Sequence, residues 1–211
     1  GRPVANFPLH TTAVPTGLSV IEASAGTGKT WTGARIVHHL VMAGMRVGIT
    51  AFSHKAIDNL LDETVSVFRE AGDLSRLSAV RKGDKPSDGG DASVTYASGN
   101  PQCGKGEVNL VAGTTWLFSS QVMIDGPVDV LLIDEAGQLG LADAMAAATS
   151  ATSVVLLGDP QQLSQVAKAS HSAGSGVSVL EHVLGGDATI GSDRGVFLAE
   201  TRRMPPDICT F

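Results

Sequence analysis

Long apolar runs are missing from this sequence: none reaches the roughly 18–20 residues that spanning a bilayer requires, which excludes a transmembrane helix. The N-terminal stretch GRPVANFPLH lacks the charged-then-apolar pattern of a secretory signal. Cysteine is nearly missing too, with only Cys103 and Cys209, far apart and without a CxxC neighbour. That excludes a disulfide framework and a thiolate metal cluster, and leads us to expect a reduced, cytoplasmic protein. Positive charge is also short, since 15 Lys+Arg against 21 Asp+Glu give a net charge of -6. A protein that grips phosphate backbones by bulk electrostatics carries the opposite sign. A local groove of backbone amides and hydroxyls still holds a strand on an otherwise acidic surface. What remains is ordinary globular composition, with 43% hydrophobic and 17% charged residues. A chain of 211 residues suffices for one well-buried α/β domain with a small insertion and is short for two.

Short apolar runs alternate with longer helix-like segments. LSVIEA (18–23), RVGITA (46–51), VNLVAG (108–113), VDVLLID (128–134), SVVLLGD (153–159) and GVFLAE (195–200) read as strands buried on both faces. The segments between them are long enough for crossover helices, which predicts a doubly wound, mostly parallel sheet with helices on both faces. Residues 81–106, rich in Gly, Ser, Asp and Pro, read as an exposed insertion or mobile loop with little that faces a core. AKASHSAGSGVS (167–178) reads as a second flexible connection, and no internal repeat is visible. PPDICTF has the character of a helix just starting, so a boundary inside a longer protein is expected at Phe211.

ASAGTGKT, from Ala23 to Thr30, follows a predicted strand and opens a predicted helix, as a phosphate-binding loop requires. Gly26 and Gly28 allow the tight turn that aims the N–H groups of Thr27 and its neighbours at phosphates. Lys29 then reaches the β- and γ-phosphates, and the Thr30 hydroxyl ligates Mg²⁺. Ala23 stands where the pattern has its first glycine. VLLIDEA (130–136) ends a buried strand in two acids that point to opposite sides. Asp134 is placed to bind Mg²⁺ and Glu135 to orient and deprotonate an attacking water. VVLLGDPQQLSQV (154–166) ends another strand, and its Gln162 is long enough to sense a γ-phosphate; a plain Gly-Asp-Pro turn is the alternative.

GTGKT, ITAFSHKAIDNLL, VAGTTWL, LLIDEAGQ, LLGDPQQL and LAETRRMPPDI stand in the order found in superfamily 1 helicases, and the chain resembles their first RecA-like ATPase domain from Leu18 to Phe211. Within them it is most similar to the 5′-to-3′ group of nonsense-mediated decay and flap processing. FSHKAIDNLL and AGTTWLF resemble bacterial members fused behind a RecB-like nuclease. The resemblance implies ATP and Mg²⁺ as cofactors, single-stranded DNA or RNA as partner, a second RecA-like lobe elsewhere in the full-length protein, and no membrane. It assigns γ-phosphate contact to Arg203, with Arg202 where the family has an aromatic residue and Pro205 where it has histidine. It places Thr50, Ser53 and His54, with Gly113, Thr114 and Thr115, along the strand groove. Ser53 and Thr115 are equally suited to capping helices, and Trp116 either stacks a base or packs into the core. Residues 1–22 hold no glutamine, the residue type that reads adenine in this family, so ATP follows from the resemblance alone.

The rival reading is a nucleotide-dependent switch without motor activity, which has no need of a water-activating acid. A P-loop small-molecule kinase gives no reason for ITAFSHKAIDNLL or LLGDPQQL. The phosphate loop and paired acids together predict weak Mg²⁺–nucleotide binding by this chain, lost in Lys29→Ala. Isothermal calorimetry checks it, and equal affinity in the two proteins contradicts the assignment.

Overall fold

A computed structural model describes residues 17–23, 28–85, 90–104, 106–159 and 176–198. Gly26, Thr27, Gln162 and Arg203, and most of the 167–178 connection, lie outside the described residues. β1 (Leu18–Ala23) leads to α1 (Lys29–Met42), and β2 (Val47–Ala51) to α2 (His54–Ala71). β3 (Ala79–Lys82), β4 (Val94–Ala97) and β5 (Leu110–Ala112) follow, then the short helices α3 (Thr115–Phe118) and α4 (Gln121–Asp125). The chain continues through β6 (Val128–Asp134), α5 (Leu141–Ala148), β7 (Ala151–Gly158), α6 (Val179–Leu184) and β8 (Gly195–Leu198).

The strands form one eight-stranded sheet in the order β4-β3-β5-β2-β6-β7-β1-β8, with every described pairing parallel. A parallel sheet must be covered on both faces, and the alternation of side chains along β6 shows how. Leu131 and Ile133 join Phe118, Ala144 and Leu180 in one core, while Val130 and Leu132 join Val37, Ile57, Leu60 and Phe68 in the other. α2 buries Ile57, Leu60, Leu61, Thr64, Val65 and Phe68, the three-to-four spacing of a single helical face. Its start is capped by the Ser53 hydroxyl and its end by Gly72 at φ 78°, a conformation that glycine alone takes without strain. On α1, a Cβ at Gly33 would lie 2.7 Å from Leu157 Cδ1, so glycine sets how closely this helix approaches β7. Among the described residues, no helix is long and apolar enough to cross a membrane.

The strands anticipated from apolar runs all form, with described ends shifted by a residue or two, but β8, at the sheet edge, exposes Val196 and Phe197 and is not buried on both faces as expected. The 81–106 segment departs from expectation. Arg81 and Lys82 end β3, and Val94–Ala97 form β4, paired in register from Ala79↔Val94 to Lys82↔Ala97. Val94, Ala97 and Cys103 are buried. Much of this segment therefore belongs to the sheet edge and its core. Its strands are only four residues long, and β4, at the sheet edge, leaves Thr95 exposed, so neither stands out in a Gly/Ser/Asp-rich stretch. Arg69 anchors it to α2 through Asp91 at 2.5 Å.

Arg46 ties the same region to the sheet. Its guanidinium donates to the carbonyls of Cys103 at 2.6 Å, Val108 and Pro127 at 3.1 Å, and Gly126. Four carbonyls from three segments thus share one cation at the entrance to β2. Arg46→Met keeps the aliphatic stem and strands those carbonyls, so it should lower unfolding stability by about 2–4 kcal/mol. Urea denaturation followed by circular dichroism measures this, and a loss within 0.5 kcal/mol, roughly the noise of surface substitutions, contradicts it.

Candidate active site

Strands of a parallel sheet deliver their C-terminal ends to one edge, where ligand sites of such sheets form. At that edge the register of β2 with β6 places Ala51 opposite Asp134. Two strands away β1 leads to Gly28, the N-cap of α1, at φ 90° and ψ 30°. This left-handed conformation is easy for glycine and costly for any residue with a Cβ, and it turns the chain so that Lys29 begins the helix. Thr30 follows in the first turn, with Thr32 N–H donating to the Gly28 carbonyl at 2.8 Å.

Asp134 is only 6% exposed, and its Oδ1 accepts the Glu135 amide at 2.8 Å. Burial pushes its carboxyl up to about 6; the Glu135 amide opposes the rise, the Glu135 charge adds to it, and Lys29 counters it. Lys29 therefore lies near enough to Asp134 to hold part of that rise back. Glu135 takes φ 54°, the only left-handed non-glycine backbone among the described residues, and strain of this kind concentrates at functional sites. Its Oε2 accepts a hydrogen bond from Ser53 Oγ at 3.3 Å. Ser53 also caps α2, accepting the Ala56 amide at 3.1 Å. Lys29, Asp134, Glu135 and Ser53 are thus linked across three segments of the chain.

The groove residues divide. Thr50 is fully buried, its hydroxyl without a hydrogen-bond partner, and Gly113 is buried with its amide donating to the Ile49 carbonyl at 3.0 Å. Neither presents the group that strand contact would use, which corrects that part of the sequence reading. Buried strand ends carry the same small and hydroxyl residues as a groove, so sequence alone did not separate them. His54 is exposed, with Nδ1 3.0 Å from Arg81 Nη2, and Arg81 is in turn bonded to Asp58 at 2.6 Å. Thr114 occupies the cap position of α3 and Thr115 its first turn, both partly exposed, and neither hydroxyl is needed for a cap. Trp116 is 83% exposed rather than packed into the core, because α3 buries Leu117 and Phe118 on its other side. Phe52, which the sequence reading passed over, is 43% exposed at the end of β2. Its signal was its place between the last strand residue and the helix cap, where an apolar side chain has no core to enter.

The model of the AAA domain family matches residues 8–176. The chain belongs to the AAA domain family. It is 26% identical over 161 residues to the DNA replication ATP-dependent helicase/nuclease JHS1 of Arabidopsis thaliana, covering 76% of this chain and 12% of that protein. To the DNA replication ATP-dependent helicase/nuclease DNA2 of Saccharomyces cerevisiae it is 28% identical over 157 residues, covering 71% of this chain and 10% of that protein. Among solved structures, the complex of the Arterivirus nonstructural protein 10 (helicase) with DNA aligns over 74% of this chain and 32% of that one, at 17% identity and a TM-score of 0.46. The chain therefore spans about a tenth of the length of the curated relatives it matches. Membership of the AAA domain family implies nucleotide use.

The raised carboxyl of Asp134 makes a pH prediction. Its folded value of about 6 lies above the unfolded value of roughly 4, so the folded state holds the extra proton between them. Stability must then fall as pH rises through that window and level off above it, by on the order of 3 kcal/mol. Asp134→Asn should be more stable than the wild type at pH 7.5 and should lose this slope. Urea denaturation from pH 4 to 7.5 measures both, and parallel profiles for the two proteins contradict the assignment.

Proposed function

We propose that this chain is the first ATPase lobe of a superfamily 1 helicase or translocase, coupling ATP hydrolysis to movement along single-stranded DNA or RNA. The observation that carries the proposal is the convergence of Lys29, Asp134 and Glu135 at one strand edge, with a hydrogen bond from Ser53 at the head of α2. In this reading Gly26, Thr27, Gly28 and Lys29 cradle the triphosphate, and Gln162 and Arg203 contact the γ-phosphate. Thr30 and Asp134 would hold Mg²⁺. The donor set fits such an ion: two hard oxygens, one of them a buried carboxylate whose charge is under-compensated, with phosphate and water completing the shell. Mg²⁺ would supply positive charge against the phosphates. Glu135 accepts the proton of the attacking water, and Lys29 offsets the charge that develops on the transferred phosphoryl group.

The strand would cross the ends of β2 and β5, touching Ser53, His54, Thr114 and Thr115, with Phe52 and Trp116 offering faces on which bases stack. These contacts are local, so the net charge of -6 does not oppose them. Names of the two relatives join helicase and nuclease, and a nuclease segment in the full-length protein accords with that pairing.

Positive charge from one lobe only leaves the γ-phosphate incompletely stabilised, and a missing arginine finger costs about 10³–10⁵ in rate. The isolated chain should therefore hydrolyse ATP very slowly and respond little to nucleic acid. A longer protein carrying the downstream lobe should be faster by orders of magnitude and strand-dependent. Glu135→Gln in it should abolish turnover while keeping nucleotide binding. A coupled ATPase assay with and without oligonucleotide decides: an active Gln variant removes Glu135 as the base, and full-length rates from this chain alone remove lobe-shared catalysis.

A further inference from the structure

Arg81, in β3, is a cation with only 3% of its surface exposed. Each nitrogen of its guanidinium has a partner of its own. Nε donates to Asp58 Oδ1 at 2.6 Å, Nη1 to the Lys82 carbonyl, and Nη2 meets His54 Nδ1 at 3.0 Å. The guanidinium is a rigid planar fork, so three partners in three directions leave it one orientation. Asp58 and His54 stand one turn apart at the start of α2, and the same cation fastens that helix to β3.

This arrangement decides which nitrogen of His54 carries hydrogen. Arginine has five N–H donors and no acceptor. The contact between Arg81 Nη2 and His54 Nδ1 is a hydrogen bond only with Nδ1 as acceptor, which leaves the ring's hydrogen on Nε2. Arg81 is buried and His54 exposed, so the ring edge that meets Arg81 is the inner one and the Nε2–H lies on the outer side. That outer side belongs to the surface the proposed strand would cross. Sheet order puts β3 beside β5, and a Cβ at Gly113, just after β5, would lie 3.3 Å from Lys82 Cβ, so the two strand ends abut. A phosphate oxygen arriving there accepts hydrogen bonds and needs a donor facing it. The opposite tautomer would turn a lone pair towards it.

We propose that Arg81 is a positioning residue for strand binding: it holds His54 with the hydrogen on Nε2, set to donate to a strand phosphate. The inference rests on the reading of this edge as a strand groove and adds to it a residue that does not itself touch the strand. An Arg81 that only tied α2 to β3 would act on affinity independently of His54.

The test measures the affinity of the longer protein with both lobes for fluorescent single-stranded oligodeoxythymidylate and oligouridylate, by anisotropy. His54→Ala and Arg81→Met should each weaken binding by about three- to tenfold, the effect of one hydrogen bond. Asp58 is 42% exposed, so water can take the place of Arg81 beside it in the Met variant. The double variant should bind within about twofold of His54→Ala, because the two residues act as one unit. His54→Gln, whose amide N–H reaches the place of Nε2–H, should recover most of the affinity lost in His54→Ala. In parallel, nitrogen NMR at pH 7.5 of the 211-residue chain labelled with ¹⁵N-histidine should show His54 with its hydrogen on Nε2, and both tautomers in Arg81→Met. A hydrogen on Nδ1 in the wild type overturns the inference. Where Arg81→Met fails to fold, that wild-type spectrum and the His54→Gln rescue decide it. Equal losses from Arg81→Met with and without His54 also overturn it, leaving Arg81 a structural tie and the groove intact. If His54→Ala binds both strands as wild type does, the groove reading of His54 falls and the inference with it.

Discussion

The pairing of β2 with β6 is the constraint on which the site depends. Their register runs from Val47↔Val130 to Ala51↔Asp134, and nearly every residue in it is buried. Because both strands end together, the chain leaving β2 and the chain leaving β6 start at the same height. Ser53 and Glu135, 82 positions apart in sequence, are therefore within hydrogen-bond reach. A slip of one residue would exchange the two faces of β6 and send the Asp134 side chain away from α1. Two separate apolar cores, one on each side of the sheet, make such a slip prohibitive.

The same burial that secures the register creates the chemistry. Asp134 sits where the core ends, and desolvation makes its charge costly. The proposed site would gain from that cost, since a cation bound beside the desolvated carboxylate would offset it. Glu135 takes up the sharp turn from strand to loop in a left-handed conformation. Stability is spent at these two positions in return for function, while the Arg46 cluster and the α2 caps hold the surroundings.

Much of the architecture was legible in the residues. Apolar runs marked the central strands because a buried parallel strand needs both faces apolar, and GTGKT and IDEA marked the candidate site because their spacing to strand ends is set by covalent geometry. Strands β3 and β4 were hidden, since each is only four residues long and β4, at the sheet edge, has a partly solvated pattern, SVTYA, that a Gly/Ser-rich neighbourhood obscures. Trp116 and Thr50 were hidden for a related reason. Thr50 lies near the end of β2 and Trp116 in the short helix after β5, where the local course of the backbone decides whether a side chain faces core or solvent, and composition carries no trace of that choice.

By itself the sequence determined a parallel α/β sheet, a helix opening at Lys29 after the first strand, and an acidic pair closing a strand, all of them local consequences of hydrophobic period and residue spacing. Tertiary structure alone decided what depends on distance across the sheet. Lys29 lies close enough to moderate the Asp134 charge, Thr50 and Gly113 are sealed inside, and Trp116 and Phe52 face outward. The hydroxyl of Ser53 meets Glu135 only because two strands of unrelated sequence position share one register, a relation that no window of contiguous residues contains.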